Sequence, residues 1–202
     1  MTTISQFKAQ MTGGGARPNQ FRVELSFPTF VGVAGVTGLA GQFLCKSTTL
    51  PASTIEDITA WYRGRPVHFA GERTFAPWRV AFYNDSNFGL RNAFELWSGT
   101  ISNYSATNGT VNPGNYQVDM LVHHLDRNDN IVKTYRFYDA YPTNVGEIGL
   151  DFEQNNQIEL FDVDFTYNYF TVDTAPDQGQ GGTTVNVSLN TPVGTFPLPP
   201  NS

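Results

Sequence analysis

Hydrophobic and polar positions change period once in a way that organises the rest of the chain. In the segment Gly71 to Trp97, Trp78, Val80 and Phe82 alternate with Arg79, Ala81 and Tyr83. In a strand those two sets lie on opposite faces. At Asn84-Asp85-Ser86 the period lengthens, and Phe88, Leu90, Ala93, Phe94 and Trp97 recur at three-to-four spacing, which predicts a helix. Asp85 or Ser86 is placed to cap its start and Gly99 to stop it. A helix of about three turns is marginal alone in water. Its stripe is therefore expected against a sheet, with Phe94 and Trp97 packed on the face that carries Trp78, Val80 and Phe82.

The other periodic segments read as strands. Asn19 to Phe27 alternates, with Phe21, Val23, Leu25 and Phe27 on one face. Gln42 to Thr48 is a second strand, and Thr54 to Tyr62 with Val67 to Ala70 forms a hairpin about Arg63-Gly64-Arg65-Pro66. Asn115 to Leu125 and Ile131 to Tyr138 are joined by a five-residue turn, Asp126 to Asn130. Tyr141 to Glu147 reads as a compact turn. Gln157 to Val172 reads as the longest strand, with Phe161, Val163, Phe165, Tyr167 and Tyr169 on one side and Asp162, Asp164, Thr166 and Asn168 on the other. Ile4, Phe7 and Met11 suit a short helical arm, and Gly13-Gly14-Gly15 a hinge after it.

Two stretches have too little apolar content for a core of their own. Residues 31–41 form a Gly-rich loop, and 173–202 form a Pro/Gly-rich extension. The expected organisation is one mainly β domain over 1–172, an N-terminal arm at 1–15, and the extension at 173–202. The Gly-rich loop is no phosphate cradle, since neither the lysine nor the helix that such a loop needs follows it.

Composition narrows the function. A net charge of −6 argues against tight binding to nucleic-acid phosphates, which takes clustered Lys and Arg. A single cysteine, Cys45, makes neither an intrachain disulfide nor a zinc cluster, and is expected as a small buried residue in a strand. Met1 to Gln10 has no apolar run, and no stretch reaches the ~20 apolar residues of a membrane span. A soluble protein made in a cytoplasm is expected. His123 and His124 are adjacent in a strand and point apart, and His68 stands on another strand. Asp126, Asn128 and Asn130 alternate like the start of a calcium loop but lack its Gly and distant Glu. No nucleophile motif is present. The expectation is no catalytic site, no metal and no cofactor. The projecting arm, loop and hairpin suit an obligate assembly.

Several segments together resemble the tail tube proteins of contractile-tailed, T4-like bacteriophages. They are ARPNQFRVELS at 16–26, FLCKSTTLPA at 43–52, AGERTFAPW at 70–78, ND at 84–85, FELW at 94–97, YPTNVGEIGLDF at 141–152 and NNQIELFDV at 155–163. They occur in the family's order. The stretch 31–41 is longer than the family's usual hairpin there, and 173–202 runs past its usual end.

The resemblance implies two packed antiparallel sheets (a sandwich or barrel-like body) with one flanking helix. It implies a homo-hexameric ring whose inner sheets join into a continuous β-barrel, and rings stacked into a tube in the virion tail. The implied partners are a sheath protein, a tape-measure protein, and baseplate and tail-terminator proteins. DNA passes through the lumen without sequence-specific binding, ejected through the host envelope when the sheath contracts. The alternative is the tube of a DNA-free injection machine, pyocin-like or type VI secretion-like. Under the resemblance, Trp61, Tyr62, Arg63 and Arg65 on the hairpin become expected contacts between subunits. Asp162 and Asp164 become expected lumen-facing carboxylates that repel phosphate.

Overall fold

Alternation builds the body of the protein in the computed structural model, which describes residues 3–11, 15–32, 38–106, 108–153 and 155–174, the side chains of 38–40 excepted. Strands β1 (Phe21–Glu24), β6 (Val118–Leu125), the first part of β7 (Ile131–Val145) and β9 (Tyr169–Thr174) pair antiparallel in the spatial order β1-β6-β7-β9. The end of β7 pairs with β8 (Leu160–Thr166), which continues into β5 (Trp78–Tyr83) and β2 (Cys45–Thr48). Two antiparallel layers are thus joined through one long strand, and the fold is mainly β.

The corner between the layers has a clear cause. Asp139 adopts φ 57°, and a register shift lies opposite it between Val118 and Met120. The Asn168 amide N–H donates to the Tyr138 carbonyl at 3.1 Å, and the Asn168 side chain donates to Asp139 at 2.9 Å. Both β7 and the β8–β9 segment turn from one layer to the other here, as bulged strands do at sheet corners.

Between the layers lies a core of aromatic rings. Trp78 stacks on Phe137 with centroids 4.4 Å apart, and its indole N–H donates to Thr48 Oγ1 at 2.7 Å. Val80 and Phe82 are fully buried with it. Helix α3 (Gly89–Ile101) lays Leu90, Ala93, Phe94 and Trp97 on this core. The Phe94 ring meets Phe82 at 5.4 Å and Phe165 at 5.7 Å, and the Trp97 indole donates to the Tyr116 carbonyl at 2.9 Å. A buried indole satisfied in this way costs no unpaired polar group.

Several elements depart from the sequence pattern. Residues 38–44 form helix α2 (Gly38–Leu44), so the second strand begins only at Cys45. Packing overrides propensity here: Gly41 lies so close to β1's continuation that a Cβ would stand 2.6 Å from Leu25 Cδ1. Residues 33–37, the centre of the expected Gly-rich loop, lie outside the described residues, as does the extension from 175 onward. Helix α3 runs through Gly99 to Ile101. That glycine serves close packing, because a Cβ there would meet the Tyr104 ring at 2.9 Å. Neither Asp85 nor Ser86 caps α3; its N-cap is Phe88, in the left-handed region at φ 55°.

Residues 141–145, expected as a turn, are strand, and Pro142 is tolerated where β7 has a neighbour on one side only. Gln157 to Val172 is two strands that part at Tyr167-Asn168, so Tyr169 faces outward, stacked on Tyr138 at 4.5 Å, while Phe170 turns inward. Two further short helices are α1 (Ile4–Gln10), which buries none of its residues, and α4 (Pro113–Tyr116). Cys45 is half-buried at the start of β2; burial pushes its thiol up to about 12, so it is inert at neutral pH.

Candidate assembly surfaces

The hairpin of β3 (Ser53–Tyr62) and β4 (Arg65–Phe75) leaves the body at the Trp78 end of β5 and pairs only with itself. At ~3.3 Å per residue it reaches roughly 30 Å. Its root is anchored: Phe75 packs on Phe170 at 5.6 Å and Tyr167 at 5.9 Å, and Arg73 donates to Ser53 Oγ at 2.7 Å. A bulge between Ile55 and Asp57 sits against Gly71, where a Cβ would stand 2.8 Å from the Glu56 carbonyl oxygen. Only glycine fits that approach.

Register then sorts the hairpin's side chains. Ile58 opposes Phe69, Ala60 opposes Val67, and Tyr62 opposes Arg65, which gives one largely apolar face. The other face pairs Thr59 with His68 beside Asp57, whose carboxylate accepts from the Thr59 hydroxyl at 2.9 Å and lies 2.7 Å from His68 Nδ1. At the tip, Arg63 and Gly64 both have positive φ, 49° and 81°, the signature of a tight primed hairpin turn. The Arg63 guanidinium lies 5.5 Å over the Tyr62 ring. Trp61 is 72 % exposed and Tyr62 65 %. Tryptophan, tyrosine and arginine gathered on one exposed tip is the composition of a binding hot spot.

A second surface is the outer face of β5 and β8, turned away from the core by alternation with Phe161, Val163 and Phe165. Here the two expected carboxylates differ. Asp162 is exposed. Asp164 is gripped by Arg79, its cross-strand partner, through Nε at 2.6 Å and Nη2 at 3.1 Å, and by the Asn144 amide at 3.2 Å. The hydrogen bond from Arg79 holds the Asp164 carboxyl below the usual carboxylate range, and that same pairing raises Arg79. Two like carboxylates on one strand face are therefore one free charge and one paired charge. The pairing was legible only once β5 and β8 were known to be neighbours.

A third surface escaped the sequence reading. After β7, Gly146 is fixed by its amide to the Asp162 carbonyl at 2.7 Å and by Arg91, which donates to its carbonyl at 3.0 Å. The chain then presents Leu150 and Phe152, both almost wholly exposed, between Asp151 and Glu153. The Glu153 amide donates to the Asp151 carboxylate at 2.9 Å, which shapes the bend. Two large apolar residues set among carboxylates outside any alternation were the available signal.

His123 and His124 do point apart. His123 is buried, its Nδ1 2.8 Å from Thr134 Oγ1 and its Nε2 3.3 Å from Glu24, and serves the β1-β6-β7 layer. Edge strands β1, β2 and β9 each have a neighbour on one side only, among the described residues. Such edges invite pairing with another chain.

Comparison with known proteins places these surfaces. The phage tail tube protein family matches residues 16–173. The tail tube protein of Serratia phage KSP90 is 31 % identical over 169 residues, 83 % of this chain and 95 % of that protein. Tail tube protein gp19 of Enterobacteria phage T4 is 32 % identical over 164 residues, 81 % and 95 % of the two chains. Among solved structures, the sheath-tube complex of an extracellular contractile injection system in its extended state contains a chain of similar fold. It has a TM-score of 0.52 at 12 % identity, over 86 % of this chain and 99 % of that one. A chain of the anti-feeding prophage baseplate has a TM-score of 0.52 at 13 % identity, over 79 % and 96 %.

Proposed function

The chain belongs to the phage tail tube protein family, and from that premise we propose that its hexameric rings stack into the hollow tube through which DNA leaves the capsid. As a tail tube protein of a contractile phage tail it is a virion component. The observation that carries the reading beyond family membership is the combination of open strand edges with the hairpin. Edges β1, β2 and β9 are free to join neighbouring copies, which removes their unpaired backbone groups and closes sheets into a barrel. The hairpin, exposed on both faces in a single chain, gains a partner in the same step.

The relatives are structural proteins rather than enzymes, and this chain is read as structural too. A surrounding sheath and a baseplate are the partners that the reading requires, with a tape-measure protein filling the bore before DNA and a terminator closing the tube. Of the two carboxylates on β8, Asp162 is the one free to repel phosphate if this face lines the bore. Its field reaches only about 8 Å at physiological salt, so it lubricates the wall rather than gating it. A DNA-free injection machine would use the same fold, but the relatives of highest identity named above are phage proteins, and that favours DNA as cargo.

Sedimentation velocity of the purified protein tests the assembly. Hexamers or larger polymers are expected, and a species that stays monomeric at tens of micromolar, on the order of weak-interface affinities, would overturn it.

A further inference from the structure

The hairpin and the acidic loop after β7 lie at opposite ends of the same strands. The hairpin continues from Thr48 and Trp78, whereas residues 146–159 return at the Tyr83 end, where the Asn84 amide bonds the Glu159 carbonyl at 2.9 Å. The two surfaces are also opposite in charge. Residues 61–66, WYRGRP, carry two arginines and no carboxylate, and residues 146–153, GEIGLDFE, carry three carboxylates and no basic residue. Each exposes two large apolar side chains beside its charges: Trp61 and Tyr62 on the tip, Leu150 and Phe152 on the loop.

We infer that the hairpin tip of one copy docks on the 147–153 loop of a copy in the next ring, with Arg63 and Arg65 facing Asp151 and Glu153 and Trp61 seated against Phe152. This inference rests on the tube reading and names the contact that makes it grow. A surface and its complement at opposite ends of one molecule make a heterologous contact, which does not close on itself and so propagates along one axis. The roughly 30 Å reach of the hairpin suits a bridge between stacked copies better than a contact within one body. Charge sets the register and the aromatic and aliphatic side chains supply the buried area. Among the other exposed apolar groups, Ile4 and Phe7 on α1 are accompanied by Lys8, so the arm offers the arginines no complement.

The test uses the full chain with charges exchanged: Arg63→Glu with Arg65→Glu, Asp151→Arg with Glu153→Arg, and all four together. All four positions lie outside the core, so melting temperatures of the three proteins should stay near wild type. Each pair alone should raise the critical concentration for tube growth about tenfold or more, while rings persist in sedimentation. The four-fold variant, and an equimolar mixture of the two pairs, should restore growth, since the reversed tip then meets a reversed loop. Wild-type protein that forms no assembly would overturn the tube reading together with this contact. Wild-type tubes whose growth neither pair slows, or folded variants that no charge exchange rescues, would overturn the contact alone.

Discussion

Replacing Trp97 by alanine removes the side chain that fixes α3 to the core. Trp97 has no exposed surface, and its ring lies 5.8 Å from Phe27, 6.5 Å from Phe94 and 6.5 Å from Phe165. Truncating a buried tryptophan costs about 3–5 kcal/mol through lost transfer energy and the cavity left behind. The Tyr116 carbonyl also loses its donor, which adds about 1 kcal/mol. The sum belongs at the upper end, about 4–5 kcal/mol. For a chain of this size each kcal/mol moves the melting temperature by about 2–4 °C, so a fall of about 10–15 °C is expected. Near- and far-UV circular dichroism during thermal melting reads it, at a concentration where variant and wild type share one oligomeric state, because association itself raises apparent stability. Trp97→Phe keeps most of the ring and loses the N–H bond, so it should fall between the two. A Trp97→Ala melting temperature within about 2 °C of wild type would refute the placement of α3.

Trp61→Ala, on the exposed hairpin tip, should leave the melting temperature of the unassembled chain within about 2 °C while weakening assembly in sedimentation; unchanged assembly would count against the hot-spot reading. Gly71→Ala drives a Cβ into the Glu56 carbonyl and should cost about 1–3 kcal/mol in hairpin stability, seen as faster proteolysis between 53 and 75; wild-type resistance there would show that the bulge tolerates a side chain. Because Arg79 depresses the folded-state pKa of Asp164, their pairing stabilises the fold above the ordinary carboxylate range and is lost as pH falls through the lowered value. Arg79→Ala should therefore unfold at a higher pH in an acid titration followed by circular dichroism, and coincident acid midpoints would contradict that sign. Asp162→Lys should assemble normally and slow genome ejection with a strong salt dependence; ejection at the wild-type rate would place Asp162 away from the bore.

The parts of the fold legible in the sequence are those where one period runs unbroken over buried positions. Trp78, Val80 and Phe82 announced a strand, and Ala93, Phe94 and Trp97 a helix, because burial on one side leaves no freedom of register. The misreadings fall where tertiary contacts outweigh local preference. Gly41 and Gly99 look like breakers, yet both stand inside helices because Leu25 and Tyr104 need the space a side chain would take. Pro142 looks like a turn and is strand, while the run through Tyr167-Asn168 looks continuous and bends with Asp139 at the sheet corner. The assembly surfaces were half legible. The exposed aromatics and arginines of the hairpin tip stood out by composition, whereas the Arg79 grip on Asp164 depends on a strand pairing 85 residues apart in sequence. The loop carrying Leu150 and Phe152 has no periodicity to betray it.

The most direct test of the central claim is a cryo-electron-microscopy reconstruction of the polymer formed by the purified full-length protein. The account predicts hollow tubes of stacked six-subunit rings, with strands of neighbouring copies paired at their open edges into one continuous barrel around the bore. Solid or bore-less filaments, or rings in which β1, β2 and β9 all remain unpaired at their free edges, would contradict it.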